Sequence, residues 1–457
     1  MKQNYSLMVS GNLYKRICFL AIPSIISMLI TAIYNAADTY FVSSFGESAI
    51  AGVSVVMSYM SIVQACGFFF GHGAGNYMSK CLGAKDEETA SQVAITGLVY
   101  SFVFGLIIAV LSLVFIDPLV ALLSNATMTE YTKNYFKYVI YATPFMTASF
   151  TLNNQLRFQG NAIYGMFGLG VGAVLNIILD PILIEITGGV QGASIATMLC
   201  QILSFTILLV MTFFGNNIRM KIKNFRISFD FIKEITRGGA PSLLRQGMAS
   251  VATVVLTLLV KPYGDFAIAG VSIAQKISFI MFSVLLGFGQ GFQPVCGFNY
   301  GACKYDRVKK SFWFTVAVGT VYMLVAGVCC VVFAKPLVSF FNTTDNALSV
   351  ENMEKAVEVG VKVLRWQGFA FPLMGLYVAS NMMMQNIGKP IRASILALCR
   401  QGVVFIPILF VLNATLSLTG IIIAQCIADF ISFGIAIPLL VTVLREVTAL
   451  EKEGPTM

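Results

Sequence analysis

The sequence is poor in the residues that soluble catalysis draws on. Charged side chains fill only 11% of its 457 positions, against about 25% in an ordinary soluble domain. A single histidine, His72, excludes a histidine-based metal site or a His/Cys network of any size. The ten cysteines show no CxxC or other ligand spacing. Most lie inside apolar runs (Cys18, Cys66, Cys200, Cys329, Cys330, Cys399, Cys426) and read as small buried hydrophobes. No Walker motif or ATPase segment occurs, which argues against a primary pump and against an enzyme. The apolar run after Lys15 and Arg16 is too long for a signal peptide and lacks a small-x-small cleavage site, so it reads as a first spanning helix.

What is present is apolar surface. Hydrophobic residues make up 57% of the chain, and the mean hydropathy is +0.81. A water-soluble protein of this length could not hide that much, which leaves a polytopic membrane protein in contact with the lipid bilayer. The net charge of +9 does not indicate nucleic-acid binding, because the basic residues sit in short gaps between apolar runs and form no stripe.

A helical span needs about 20 apolar residues. Cutting at charged and Gly/Pro/Asn-rich gaps predicts twelve spans, at 16–42, 49–79, 90–116, 134–156, 162–184, 190–214, 238–260, 266–298, 311–334, 362–386, 392–413 and 416–443. The runs are continuous and show no period-two alternation, so the expected class is all-α. Of the 30 Lys and Arg residues, three lie well inside spans: Arg245, Lys276 and Arg400. Seven fall in gaps or at span ends on one side: Lys133, Lys137, Lys261, Lys335, Lys355, Lys362 and Arg365. The other twenty, Arg157 among them, fall on the opposite side. By the positive-inside rule both termini are expected in the cytoplasm, with the chain in the cytoplasmic (inner) membrane.

The chain is internally duplicated. At an offset of 218, Ala49–Ser54 repeats as Ala267–Ser272 with six identities, Pro23-Ser24 meets Pro241-Ser242, and Gly71 and Gly73 meet Gly289 and Gly291. Beyond an insertion near 342–361 the offset becomes 228, pairing Pro144 with Pro372 and Gly192 with Gly420. The expected organisation is an N-lobe of six spans (1–214), a basic cytoplasmic linker (215–237), a C-lobe of six spans (238–443) and a tail (444–457). Two copies of six spans enter from the same side and place a site at their interface.

An ionisable residue inside a span marks function by default. Asp38 ends a polar stripe of Ser27, Thr31, Tyr34 and Asn35. Asp180 lies one helical turn after Asn176 on the same face and immediately before Pro181. Asp429 lies between Gln425 and Ser432. For each acid the alternative role is a helix cap or staple. Asp38 aligns with Leu256 and Asp180, at the offset of 228, with Ile408, so the acid pair belongs to the first repeat alone, which points to an ion-coupling site confined there. Asn153, Asn154, Gln246, Ser250, Lys276, Met384 and Asp429 are candidates for a substrate cavity. Arg245 and Arg400 are expected to snorkel toward the cytoplasm, and His72, in Gly71-His-Gly-Ala-Gly75, to serve helix packing.

The stretch Tyr34-Asn-Ala-Ala-Asp-Thr-Tyr-Phe-Val42, followed by Phe45-Gly-Glu and Ala49-Ile-Ala-Gly, resembles the multidrug and toxic compound extrusion (MATE) family. So do Asn176-x-x-x-Asp180-Pro181, Gly189-Val-Gln-Gly-Ala-Ser-Ile-Ala-Thr197 and the 6+6 duplication, over about residues 13–443. The resemblance implies two V-shaped lobes and secondary active export of amphipathic, mainly cationic drugs and toxic organic cations in exchange for Na⁺ or H⁺, with no cofactor and in a monomer. Carried over by position, it assigns ion coupling to Tyr34, Asp38, Asn176, Asp180 and Thr197, with Na⁺ or H⁺ at Asp38 and Asp180. One branch of the family uses a glutamate in the seventh helix; this chain has Gln246, Ser250 and Thr253 there. The runner-up is a lipid-linked saccharide flippase of the same superfamily, which calls for a strongly cationic cavity. A channel would repeat its charges symmetrically, and these acids are not repeated. A major-facilitator transporter would carry a basic glycine pattern, which Lys80–Asp86 lacks.

Overall fold

A computed structural model describes residues 2–42, 45, 47–123, 128–215, 217–220, 222–342 and 350–453. Side chains are described except at 2–4, 32, 34–40, 42, 47–51, 122, 123, 222, 342 and 350. The described residues are almost all helical and contain no strand, as expected where lipid can satisfy no backbone group.

The first repeat spans with α2 (Leu13–Val42), α3 (Glu47–Gly83), α4 (Glu87–Val114), α6 (Thr129–Phe158), α7 (Ala162–Thr187) and α8 (Gln191–Met211). The second spans with α9 (Phe229–Val260), α10 (Asp265–Gly301), α11 (Tyr305–Val332), α13 (Val350–Asn386) and two further helices. The eleventh span joins α14 (Pro390–Leu398), a π-helical turn (Cys399–Val403) and the start of α15 (Phe405–Glu453). Within α15 the chain breaks at Ser417 (φ 53°, ψ −134°), and the twelfth span follows. Only nine stretches of described residues are long and apolar enough to cross a membrane by composition. The reason is that α6 and α13 carry many polar residues facing inward, and 390–453 runs together across its break.

The duplication is written in the helix ends. Shifted by 218, α3 lands on 265–301 and α4 on 305–332, the bounds of α10 and α11. The offset of 228 carries the end of α6 to 386 and the start of α7 to 390, the end of α13 and start of α14. Even the turns match, because Lys85 and its mate Cys303 both take positive φ, 65° and 56°. At the first of these turns Asp86 caps α4 by accepting from the Thr89 amide at 3.0 Å.

Three short helices escaped the sequence reading: α1 (Lys2–Val9), α5 (Ile116–Leu123) and α12 (Ala334–Asn342). Each is too short to span. α13 also begins before its expected start at 362, and α9 before 238, because both helices continue beyond the apolar run that marks a span. At 37 residues each, α3 and α10 are about 55 Å long, so both project past the hydrocarbon.

Among the described residues, the close contacts between the lobes lie toward the end that carries the termini. There Gly291 lies against Ala21, Gly287 against Ile25, and Gly73 against Ile235, close enough that any side chain at the glycine would collide with backbone. This is the small-residue contact expected of membrane helices. Along α10, every residue from Gly289 to Asn299 is buried, whereas Ser272 and Lys276 nearer its start are exposed. In α3, Ala65–Asn76 is buried apart from Phe69, and Ser54 and Ser58 are exposed. The two lobes close at one end and splay at the other.

Candidate functional site

The polar cluster of the first repeat is built from two helices. On α7, Asn176 and Asp180 are four residues apart and therefore share a face. The Asn176 amide Nδ2 donates to Asp180 Oδ1 at 3.1 Å and reaches Thr197 Oγ1 on α8 at 3.4 Å. All three side chains are at most 1% exposed. Glycines on α7 bring α8 this near, since Gly168 sits on Leu208 and Gly172 on Ser204.

Asn176 and Thr197 also line a cavity of about 240 Å³ enclosed by α2, α3, α6, α7 and α8. Its walls are largely soft and apolar, with Met57, Met60, Met146 and Phe150, and Gln64 and Gln201 supply amides. Such a wall adapts to varied apolar ligands. Asp180, itself wholly buried, lies one helical turn from the cavity-lining Asn176. No cluster of three or more His, Cys, Asp or Glu that could hold a metal occurs among the described residues. Tyr34 and Asp38, expected in the same cluster, are on α2, and their side chains lie outside the described residues.

A family model, MatE, matches residues 23–182 and 241–411, one segment in each repeat. The chain belongs to the MatE family. It is 30% identical over 438 residues to the multidrug export protein MepA of Staphylococcus aureus (strain MRSA252), covering 95% of this chain and 94% of that one. It is 28% identical over 426 residues to MepA of Staphylococcus haemolyticus (strain JCSC1435), covering 92% and 91%. Among solved structures it is similar to a MATE crystal structure in complex with MaL6, with a TM-score of 0.91 and 24% identity over 99% of this chain and 100% of that one. It is also similar to an outward-facing multidrug resistance MATE family transporter of the MOP superfamily, with a TM-score of 0.88 and 25% identity over 97% and 98%.

Within this MatE protein the remaining candidates scatter. Asn153 faces Gly165 on α7. Asn154 is fully buried, donates to Phe150 O at 2.7 Å and accepts from Arg157 at 2.7 Å. Gln246 and Ser250 are half-buried on α9, and Lys276 is exposed on α10. Met384 is 0% exposed and packed in the core. Asp429 is buried and accepts from Arg400 Nε at 3.0 Å and from Gln425 Nε2 at 2.8 Å.

Arg400 is no snorkelling residue. The π-helical turn aims it inward, over the Phe282 ring at 4.2 Å. By the 228 offset, Arg400 and Asp429 are the mates of Gly172 and Gln201, both of which line the first-repeat cavity. An ion pair in the MatE C-lobe fills the space that the N-lobe leaves open.

Sequence reasoning missed Arg157 altogether by counting it in an aqueous gap. Its side chain is 3% exposed, at the end of α6. The signal was its place in Asn153-Asn-Gln-Leu-Arg157, a polar end to a spanning helix.

Proposed function

We propose that this MatE protein exports amphipathic, mainly cationic organic compounds by secondary active exchange for Na⁺ or H⁺, with coupling in the N-lobe. The observation that carries this is the Asp180 carboxylate, fully buried, hydrogen-bonded by Asn176, and one turn from a Met- and Phe-lined cavity. The names of the staphylococcal relatives support the export part of the reading.

Bound substrate and coupling ion compete for one electrostatic resource. An organic cation in the cavity is attracted by the carboxylate and by the aromatic and thioether wall. A proton or Na⁺ reaching Asp180 neutralises it and releases that attraction. Because the ion must bind one conformation better than the other to drive anything, neutralisation has to accompany the change of access. With twenty basic residues on the side of the termini and seven on the other, the splayed end faces outward, which is the state that releases substrate.

The test is efflux from proteoliposomes with Na⁺ and pH gradients imposed separately. Export of an organic cation should follow one gradient and stop when both are dissipated. Transport that persists without any ion gradient would refute secondary coupling. Inhibition by anionic lipid-linked sugars, with no effect of organic cations, would favour a flippase.

A further inference from the structure

Arg157 is a buried cation with no counter-charge among the described residues: no carboxylate pairs with it. Its Nη2 alone serves three neutral acceptors: Asn154 Oδ1 at 2.7 Å, His72 Nε2 at 3.0 Å and Gln293 Oε1 at 3.3 Å. Nε and Nη1 have no hydrogen-bond partner among the described residues. Because a guanidinium only donates, His72 Nε2 must accept, which puts the ring proton on Nδ1 facing Phe68 O at 3.2 Å. His72 is thus a neutral ligand of the arginine, beyond its packing role.

The position matters as much as the chemistry. Arg157, His72 and Asn154 belong to the first repeat, while Gln293 is on α10 of the second. Gln293 lies 3.5 Å from Gln385 on α13, whose amide donates to Gly238 O and Ser242 Oγ. Gln385 is the repeat mate of Arg157 at the 228 offset. The equivalent positions of the two repeats therefore converge on Gln293 at the closed interface, and only one of them is charged.

We propose that Arg157 is a positioning residue for the transport cycle, which biases the closed end toward opening. Closing strips water from a guanidinium and returns three shared hydrogen bonds to neutral acceptors and a place over the Phe158 ring at 5.1 Å, with no opposite charge among the described residues. Burying a charge so compensated is strongly unfavourable. Opening removes Gln293 and lets water solvate the cation. The charge keeps the closed state shallow enough to be left. This rests on the exporter reading for its purpose, but the conformational claim is read independently of any substrate.

The test uses the full chain in lipid nanodiscs, without substrate or ion gradient. Nitroxides on native Cys303 and on Ala84→Cys report the opening by pulsed electron spin resonance, with the other cysteines replaced. Both positions are exposed, in repeat-related turns of opposite lobes at the closed end. Arg157→Gln keeps an amide within reach of Gln293 but removes the charge, and should cut the long-distance population about tenfold. Arg157→Lys should restore it. Gln293→Leu withdraws an acceptor while leaving the charge, and should raise the long-distance population about tenfold. Opposite shifts from the two ends of one contact are the signature. If both variants open the gate, the contact is a plain latch and the proposal fails; it fails equally if neither distribution moves. Should Arg157→Gln not fold, an unmoved or shortened distribution in Gln293→Leu overturns it alone.

Discussion

Arg400 and Asp429 give the sharpest stability prediction. Their side chains are 14% and 2% exposed, and Arg400 Nε lies 3.0 Å from Asp429 Oδ1. At that separation and an effective dielectric constant of about 20, the attraction is about 5 kcal/mol. Removing one partner forfeits that attraction and strands the other charge, at a cost of about 3–5 kcal/mol. Removing both strands nothing. Arg400→Met and Asp429→Asn should therefore each destabilise by about 3–5 kcal/mol, while the double variant should lie within about 1 kcal/mol of the parent. The implied coupling of several kcal/mol far exceeds the few tenths expected of independent sites. Denaturant unfolding in detergent, followed by the fluorescence of Trp313 and Trp366, measures the cycle. Single losses that add in the double variant would refute an ion-pair staple. The same double variant should retain ordinary efflux. If it folds normally and transports nothing, Asp429 belongs to the substrate path after all.

The remaining predictions concern the first repeat and the closed end. Asp38→Asn and Asp180→Asn should each abolish ion-driven efflux in folded, inserted protein, and the double variant should be little worse than either single; normal transport by Asp180→Asn in liposomes would dismiss the pair. Asn176→Ala deletes the hydrogen bond to Asp180, worth about 1.5–3 kcal/mol for a charged acceptor. It should shift the coupling-ion concentration for half-maximal transport roughly tenfold in gradient-titrated assays; an unmoved midpoint would separate Asn176 from coupling. Ala173 lines the 240 Å³ cavity, so Ala173→Phe should lower transport of the bulkiest substrates about tenfold and spare the smallest, as competition assays would show. Arg307 Nη2 donates to Gly11 O at 2.8 Å and Nε to Asn299 at 2.9 Å, holding the C-terminal end of α1 against the C-lobe. Arg307→Ala should leave the spans intact and make the chain before Leu13 several-fold easier to cleave in limited proteolysis.

Residue types alone were enough to find the Asn176–Asp180 pair. Four residues make one helical turn, and two polar side chains so spaced in an apolar run have nowhere to point but inward. The sixth span showed Thr197 only as one member of a polar stripe with Ser194, Gln201 and Ser204; its place beside Asp180 entered through the family resemblance. Asp429 was visible as an intramembrane acid, yet its partner Arg400 is 29 residues away in the sequence, on another helix. Arg157 was hidden for a related reason. A base at the end of a span looks the same whether it meets water or a neighbouring helix.

What the sequence determined by itself is the architecture. A bilayer demands about 20 apolar residues per crossing, so the spans could be counted. A duplicated chain keeps its offsets, so the bounds of α10 and α11 follow from those of α3 and α4. Only the tertiary structure decided which polar groups meet. It put Asn176 within 3.4 Å of Thr197, placed Arg157 against Gln293 136 positions away, and filled the C-lobe with an ion pair where the N-lobe keeps a cavity. Crossing the membrane is dictated by each helix's own composition, whereas pairing buried polar groups depends on which helices pack together and at what depth.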